Sequence, residues 1–177
     1  MTKRTDARLL AVMETHYSQP KGFVGRNICY AVLANDVYYG HIVGGSATLH
    51  LPGRHATLQT TRQNLNNIVN NIFFHIEKVG GRYPMRNFVN AVLATWRGVV
   101  SLDWEKKYGD RVLGFESLVE LPRSGECYRR DGWIEVGITQ GQTCKRGSAA
   151  KGQIVGVVGA SGTRSTYAPN VSSYILW

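Results

Sequence analysis

The chain opens with an apolar stripe at helical spacing. Leu9, Leu10 and Met13 predict a helix over residues 6–16, and Pro20 and Gly22 break it. The stretch "NICYAVLANDVYYGHIVGG" follows, with β-branched and aromatic runs on either side of Asn35 and Asp36. Asn and Asp bond their own backbone and tolerate positive φ, so these runs predict a hairpin, with a third strand over residues 47–51. From Thr61 the period changes. Leu65, Ile68, Val69, Ile72, Phe73 and Ile76 recur at i, i+3, i+4, i+7, i+8 and i+11, which predicts a long amphipathic helix. Thr60 or Thr61 caps it, and Gly80 and Gly81 stop it.

A second helix is expected over residues 85–97, and a short third one over 101–107. "RVLGFESLVE" is too apolar to face water on one side, so it reads as a central, buried strand. One helical turn over 125–131 and a strand over 133–139 come next. Residues 140–170 are rich in Gly, Ser, Thr and basic side chains and read as including a mobile loop; "VSSYILW" reads as a last strand. The sum is a mixed α/β (α+β) fold, one domain over residues 1–177, with a mostly antiparallel sheet flanked by helices.

Composition narrows the class. The 177 residues are 43% hydrophobic and 19% charged, as in a chain with an ordinary core. No run of eighteen apolar residues is present, so no membrane span is expected, and the N-terminus is too polar for a signal peptide. Three cysteines without ligand spacing point to a reduced, cytoplasmic protein and not to a metal site. The net charge of +9 makes a nucleic-acid partner plausible. The excess is spread along the chain, from Lys3, Arg4 and Arg8 to Lys145, Arg146 and Lys151.

Three places offer chemistry. His16 and Tyr17 stand where the first helix meets a Pro/Gly loop, as a base and a phenol or as a helix-end pair packed on the core. Glu116 lies inside the apolar strand. Phe115 and Glu116 must face opposite sides, so one side holds a carboxylate, either as a base or in an ion pair. Tyr128 sits on the helical turn before Trp133, over the end of the central strand. The remaining histidines form no HxxxH or HExxH pattern, and no P-loop, GxGxxG or GxSxG motif is present.

Four blocks in order, "HYSQPKGFVGR", "NNIVNNIFF", "DWEKKYGDRVLGFESLVE" and "SGECYRRDGWIEVGITQG", resemble two related families. One is the DruA-like family of the Druantia anti-phage system; the other is the Mom family of phage DNA modification proteins. The resemblance implies a GNAT-like fold, and Tyr128 as the general acid toward a coenzyme A thiolate. It also implies His16 and Tyr17 as the Mom His-Tyr pair, and modification of the adenine exocyclic amine in phage or mobile-element DNA. Glu116 or His16 is then the base. Tyr17, Tyr30, Tyr38 and Trp133 are candidates to stack a flipped base, and Arg26, Arg123, Arg129, Arg130, Lys145 and Arg146 to bind DNA. Acetyl-CoA or a related acyl donor is the implied cofactor. The GNAT pyrophosphate signature is missing from "YPMRNFVNAVL", Arg129 replaces the family alanine, and Gly132-Trp133 replaces Asn-Trp. Two alternatives stand beside this expectation: a non-catalytic DruA-like DNA-binding module, and an acyl-CoA-dependent acyltransferase with a non-DNA substrate.

Overall fold

The computed structural model describes residues 1–51, 53–139 and 153–160. Its elements run α1 (Ala7–Thr15), β1 (Asn27–Ala34), β2 (Val37–Ser46), α2 (Arg54–Leu58), a 3-10 turn (Arg62–Asn67), β3 (Ile68–Ile76), α3 (Phe88–Tyr108), β4 (Gly114–Glu120), α4 (Glu126–Arg130), β5 (Ile134–Thr139) and β6 (Gln153–Gly159). The strands form one sheet in the order β1-β2-β3-β4-β6-β5. Every neighbouring pair is antiparallel except β3 and β4, which are parallel and joined by α3. A parallel pair needs such a crossover, because its strands start at the same end of the sheet. Among the described residues no helix is long and apolar enough to cross a membrane.

The expected mixed α+β architecture, its central strand β4 and its hairpin are present. Asn35 and Asp36 both take positive φ, 49° and 61°, as a turn matching the twist of the hairpin requires. Asp6 caps α1 by accepting from the backbone N–H groups of Arg8 and Leu9. Helix α1 buries Leu9, Val12 and Met13 against Cys29, Val43 and Phe73 on one sheet face. Leu51, with Leu58 of α2, packs on Val155 and Val157. Helix α3 covers the opposite face with Phe88, Val92, Leu93, Trp96, Val100 and Trp104.

Four expectations are corrected. The long helix after Thr61 is a 3-10 turn followed by strand β3. Gly44 of β2 pairs with Asn71 and Val43 with Phe73, which leaves Ile72 as an extra residue, a bulge. The bulge flips the alternation. Ile72 and Phe73 both pack toward α1, while Val69 and Phe74 belong to the α3 side. An interior strand apolar on both faces, with its phase broken once, imitates a 3.6-residue period. The two helices expected over 85–97 and 101–107 are one, α3, with Gly98 inside it. The expected strand over 47–51 is irregular chain leading into α2. Strand β6 arises within the stretch read as including a mobile loop, and the expected strand "VSSYILW" lies outside the described residues.

Candidate functional site: a cleft where two parallel strands part

Strands β3 and β4 are paired only from Ile68 with Gly114 to Asn71 with Ser117. Beyond that point β3 runs on to Ile76 and β4 to Glu120 without pairing each other. The bulge at Ile72 coincides with the parting, since an inserted residue bends its strand. A cleft of about 990 Å³ opens there. Residues 72–76 line one wall and 118–120 the other, and residues 15–18 and 123–128 close over them.

The fork's floor is polar. Tyr128, on the single turn α4, is buried between Phe74 and Trp133, with ring centroids at 6.2 and 4.9 Å. Its hydroxyl donates to Asn71 Oδ1 at 3.2 Å. Burial pushes the phenol's pKa well above its ordinary value, and a weaker hydrogen bond from Ser117 acts in the opposite sense. The phenol therefore holds its proton at neutral pH. Asn71 is 5% exposed, and its Nδ2 has no acceptor among the described residues. Asn70, on the other sheet face, donates through Nδ2 to Thr48 Oγ1 at 3.1 Å.

Above the floor, His16 stacks between Tyr17 and Phe73, with centroids at 4.2 and 4.5 Å, and meets the edge of His75 at 5.7 Å. Burial first, then the neighbouring His75 and Arg123, push its pKa down to about 4. The ring is therefore neutral at pH 7. The Ser18 backbone N–H donates to Nδ1 at 3.3 Å, and the Ser18 hydroxyl lies 2.8 Å from it. A backbone hydrogen bond with Phe74 acts in the opposite sense to burial. His16 is thus tied at Nδ1 and stacked on two rings, well placed as a wall of the cleft. Tyr17 remains 41% exposed with the Arg123 guanidinium 3.4 Å from its ring centroid. His75 also lines the cleft, and its Nε2 lies 2.7 Å from Glu77 Oε1.

Of the expected site residues, the fold brings His16, Tyr17, Arg123 and Tyr128 to this cleft. The others lie elsewhere. Glu116 is fully buried on the sheet face that α2 covers. Its Oε2 takes Arg54 Nη1 at 2.8 Å and its Oε1 takes the Thr48 N–H, so neither oxygen is left to abstract a proton. The same Nη1 donates to the Thr48 carbonyl at 2.6 Å, which fastens the 47–58 segment to β4. Tyr30 is fully buried with its hydroxyl on Asp103, and Trp133 is 4% exposed with its Nε1 on Asp131, so neither is open to stack a base. Tyr38 is tied to His41 at 2.6 Å and is not among the cleft residues.

The expected cationic rim is largely neutralised. Arg26 pairs with Asp110, Arg129 with Glu126 and Glu135, and Arg130 with Glu126. Lys145 and Arg146 lie outside the described residues. Residues that sequence reasoning passed over are Asn71 and Ser117 at the fork, and exposed Lys78, Arg82 and Arg86 between β3 and α3. The signal for the first was "NN" inside an apolar run, which is costly in any buried strand unless the amides have work.

No family model matches the chain, and no curated protein matches it. Among solved structures, the aminoglycoside 6'-N-acetyltransferase from Enterococcus faecium superposes with a TM-score of 0.52 at 9% identity, over 92% of this chain and 97% of that one. With the six-stranded sheet, its one parallel pair and the helix between them, this likeness shows that the chain has a GNAT-like fold.

Proposed function

We propose that the chain is an acyltransferase that takes an acyl thioester of coenzyme A and passes the acyl group to a primary amine. The observation that carries this reading is the fork with a protonated tyrosine at its floor. The unpaired inner edges of β3 and β4 suit an extended, amide-bearing arm, which pairs with exposed strand edges as another strand does. Asn71 Nδ2, buried and without an acceptor, fits a ligand oxygen entering the fork.

The donor supplies an activated acyl carbon with a thiolate leaving group. Tyr128 holds the proton that such a thiolate needs, and Ser117 stabilises the phenolate left behind. His75, with Glu77 behind it, is the imidazole placed to receive the amine's proton. The walls formed by His16, Tyr17 and Phe73 exclude water from the acyl carbon. Where the glycine signature is missing, Lys78, Arg82 and Arg86 supply cations near the uncapped N-terminus of α3, a combination suited to phosphates.

DNA base modification is the second reading, favoured by the net charge of +9. The ion pairs that occupy Arg26, Arg129 and Arg130 weigh against it. Thermal unfolding separates the two. At a hundred times its Kd, coenzyme A adds about 2.7 kcal/mol, or about 5–11 °C in Tm for a chain of this size. The shift shrinks in the double variant Arg82→Ala, Arg86→Ala. A duplex that raises Tm while coenzyme A leaves it unchanged would reverse the order of the two readings.

A further inference from the structure

We infer that the side-chain amide of Asn71 is a catalytic group, donating from Nδ2 to the acyl carbonyl oxygen of the thioester while Tyr128 serves its sulfur. This rests on the acyl-transfer reading above. A buried donor without a partner costs about 1–3 kcal/mol, and native structures keep few of them. Several such atoms occur among the described residues, including His41 Nε2, Trp96 Nε1 and Arg54 Nε. Of the residues that carry them only Asn70 and Asn71 line the cleft, and the unpartnered atom of Asn70 is Oδ1, an acceptor, which leaves Asn71 Nδ2 as the one unpartnered donor there among the described residues.

Its position is set by the fold. Asn71 is the last residue of β3 paired to β4, immediately before the bulge. The bulge turns Ile72 and Phe73 toward α1 and leaves Asn71 on the side of Tyr128. The Tyr128 hydroxyl occupies Oδ1, so the amide is held with Nδ2 as its unused end. Phenol and amide are thus neighbours, as are the sulfur and oxygen of a thioester on their shared carbon.

The step balances with these groups. The nitrogen lone pair of a neutral amine forms the C–N bond, and the C=O electron pair moves onto oxygen, where Nδ2–H stabilises the charge. The C=O bond re-forms as the C–S bond breaks, its electron pair going to sulfur. Tyr128 gives its proton to that sulfur, and the proton shed by nitrogen passes by His75 or solvent to restore the phenol. The products are an amide and free thiol.

The test reads binding and the carbonyl bond as well as turnover. Acetyl-CoA and coenzyme A are titrated calorimetrically into wild type, Asn71→Ala and the isosteric Asn71→Asp. The infrared stretch of 13C=O-labelled acetyl-CoA is recorded on wild type and on each variant. Asn71 donation predicts a carbonyl stretch lowered on wild type and back near its solution value in both variants. Acetyl-CoA binding weakens about 3- to 10-fold while coenzyme A binding holds, and kcat falls about 10²- to 10³-fold. An unshifted stretch on wild type overturns the inference without needing any variant to fold. Equal weakening of both ligands overturns it too, leaving the acyl-transfer reading intact. Failure of wild type to bind either ligand overturns both.

Discussion

Tyr128 illustrates how far a single side chain's chemistry is set by its surroundings. Burial between Phe74 and Trp133 keeps the phenol protonated, so in the proposed acyl transfer it is the group that gives a proton. Tyr128→Phe keeps the ring and removes that proton. Thiol release from acetyl-CoA with a primary amine should fall about 10²- to 10⁴-fold in kcat with little change in KM; equal rates for the two proteins would remove Tyr128 from the chemistry. The histidines yield a stability prediction. Burial above all pushes His16 and His41 down to about 4 from an ordinary value of 6.5. Between those limits the unfolded chain binds more protons than the folded one, so their contribution is complete above pH 6.5 and is lost as pH falls toward 4. The urea midpoint should drop over that window by the equivalent of about 1–3 kcal/mol. The double variant His16→Asn, His41→Asn should show a flatter slope; an unchanged slope would mean other groups govern acid sensitivity.

At the level of elements, the buried pair of Glu116 and Arg54 joins two parts of the chain far apart in sequence. Removing one partner strands the other's charge in the interior, and Glu116→Gln should cost about 3–5 kcal/mol. If Glu116 were instead the catalytic base, the same variant would keep its urea midpoint and lose the acidic limb of its pH–rate profile. Legibility in the sequence also differed by element. The hairpin, β4, α4 and β5 were readable because each carries a local signal: Asn35-Asp36, a mostly apolar run, or a glycine at a turn. Strand β3 was misread because its two-sided burial and its bulge at Ile72 reproduce helical spacing. Strand β6 was hidden by its glycines, of which Gly156 lies beside the Trp133 ring. Of the site, Tyr128, His16, Tyr17 and Arg123 were legible by resemblance. Asn71 and Ser117 were not, because a polar residue in a strand gains meaning only when its neighbour across the fork is known.

Across the described residues, the parallel pair between two antiparallel arms opens the sheet at one place. Both arms are laddered apart from local bulges, and β3 and β4 lose their pairing where they separate. The bulge, the polar floor and the turn α4 all converge there. The central claim, that an acyl thioester of coenzyme A lies between these strands, is tested most directly by amide hydrogen exchange with and without coenzyme A. Binding in the fork predicts slowed exchange at residues 72–76 and 118–120 and at the start of α3, with the β1–β2 hairpin unchanged. Exchange unaltered at both inner edges under saturating coenzyme A, or slowed only at residues remote from the fork, would contradict it.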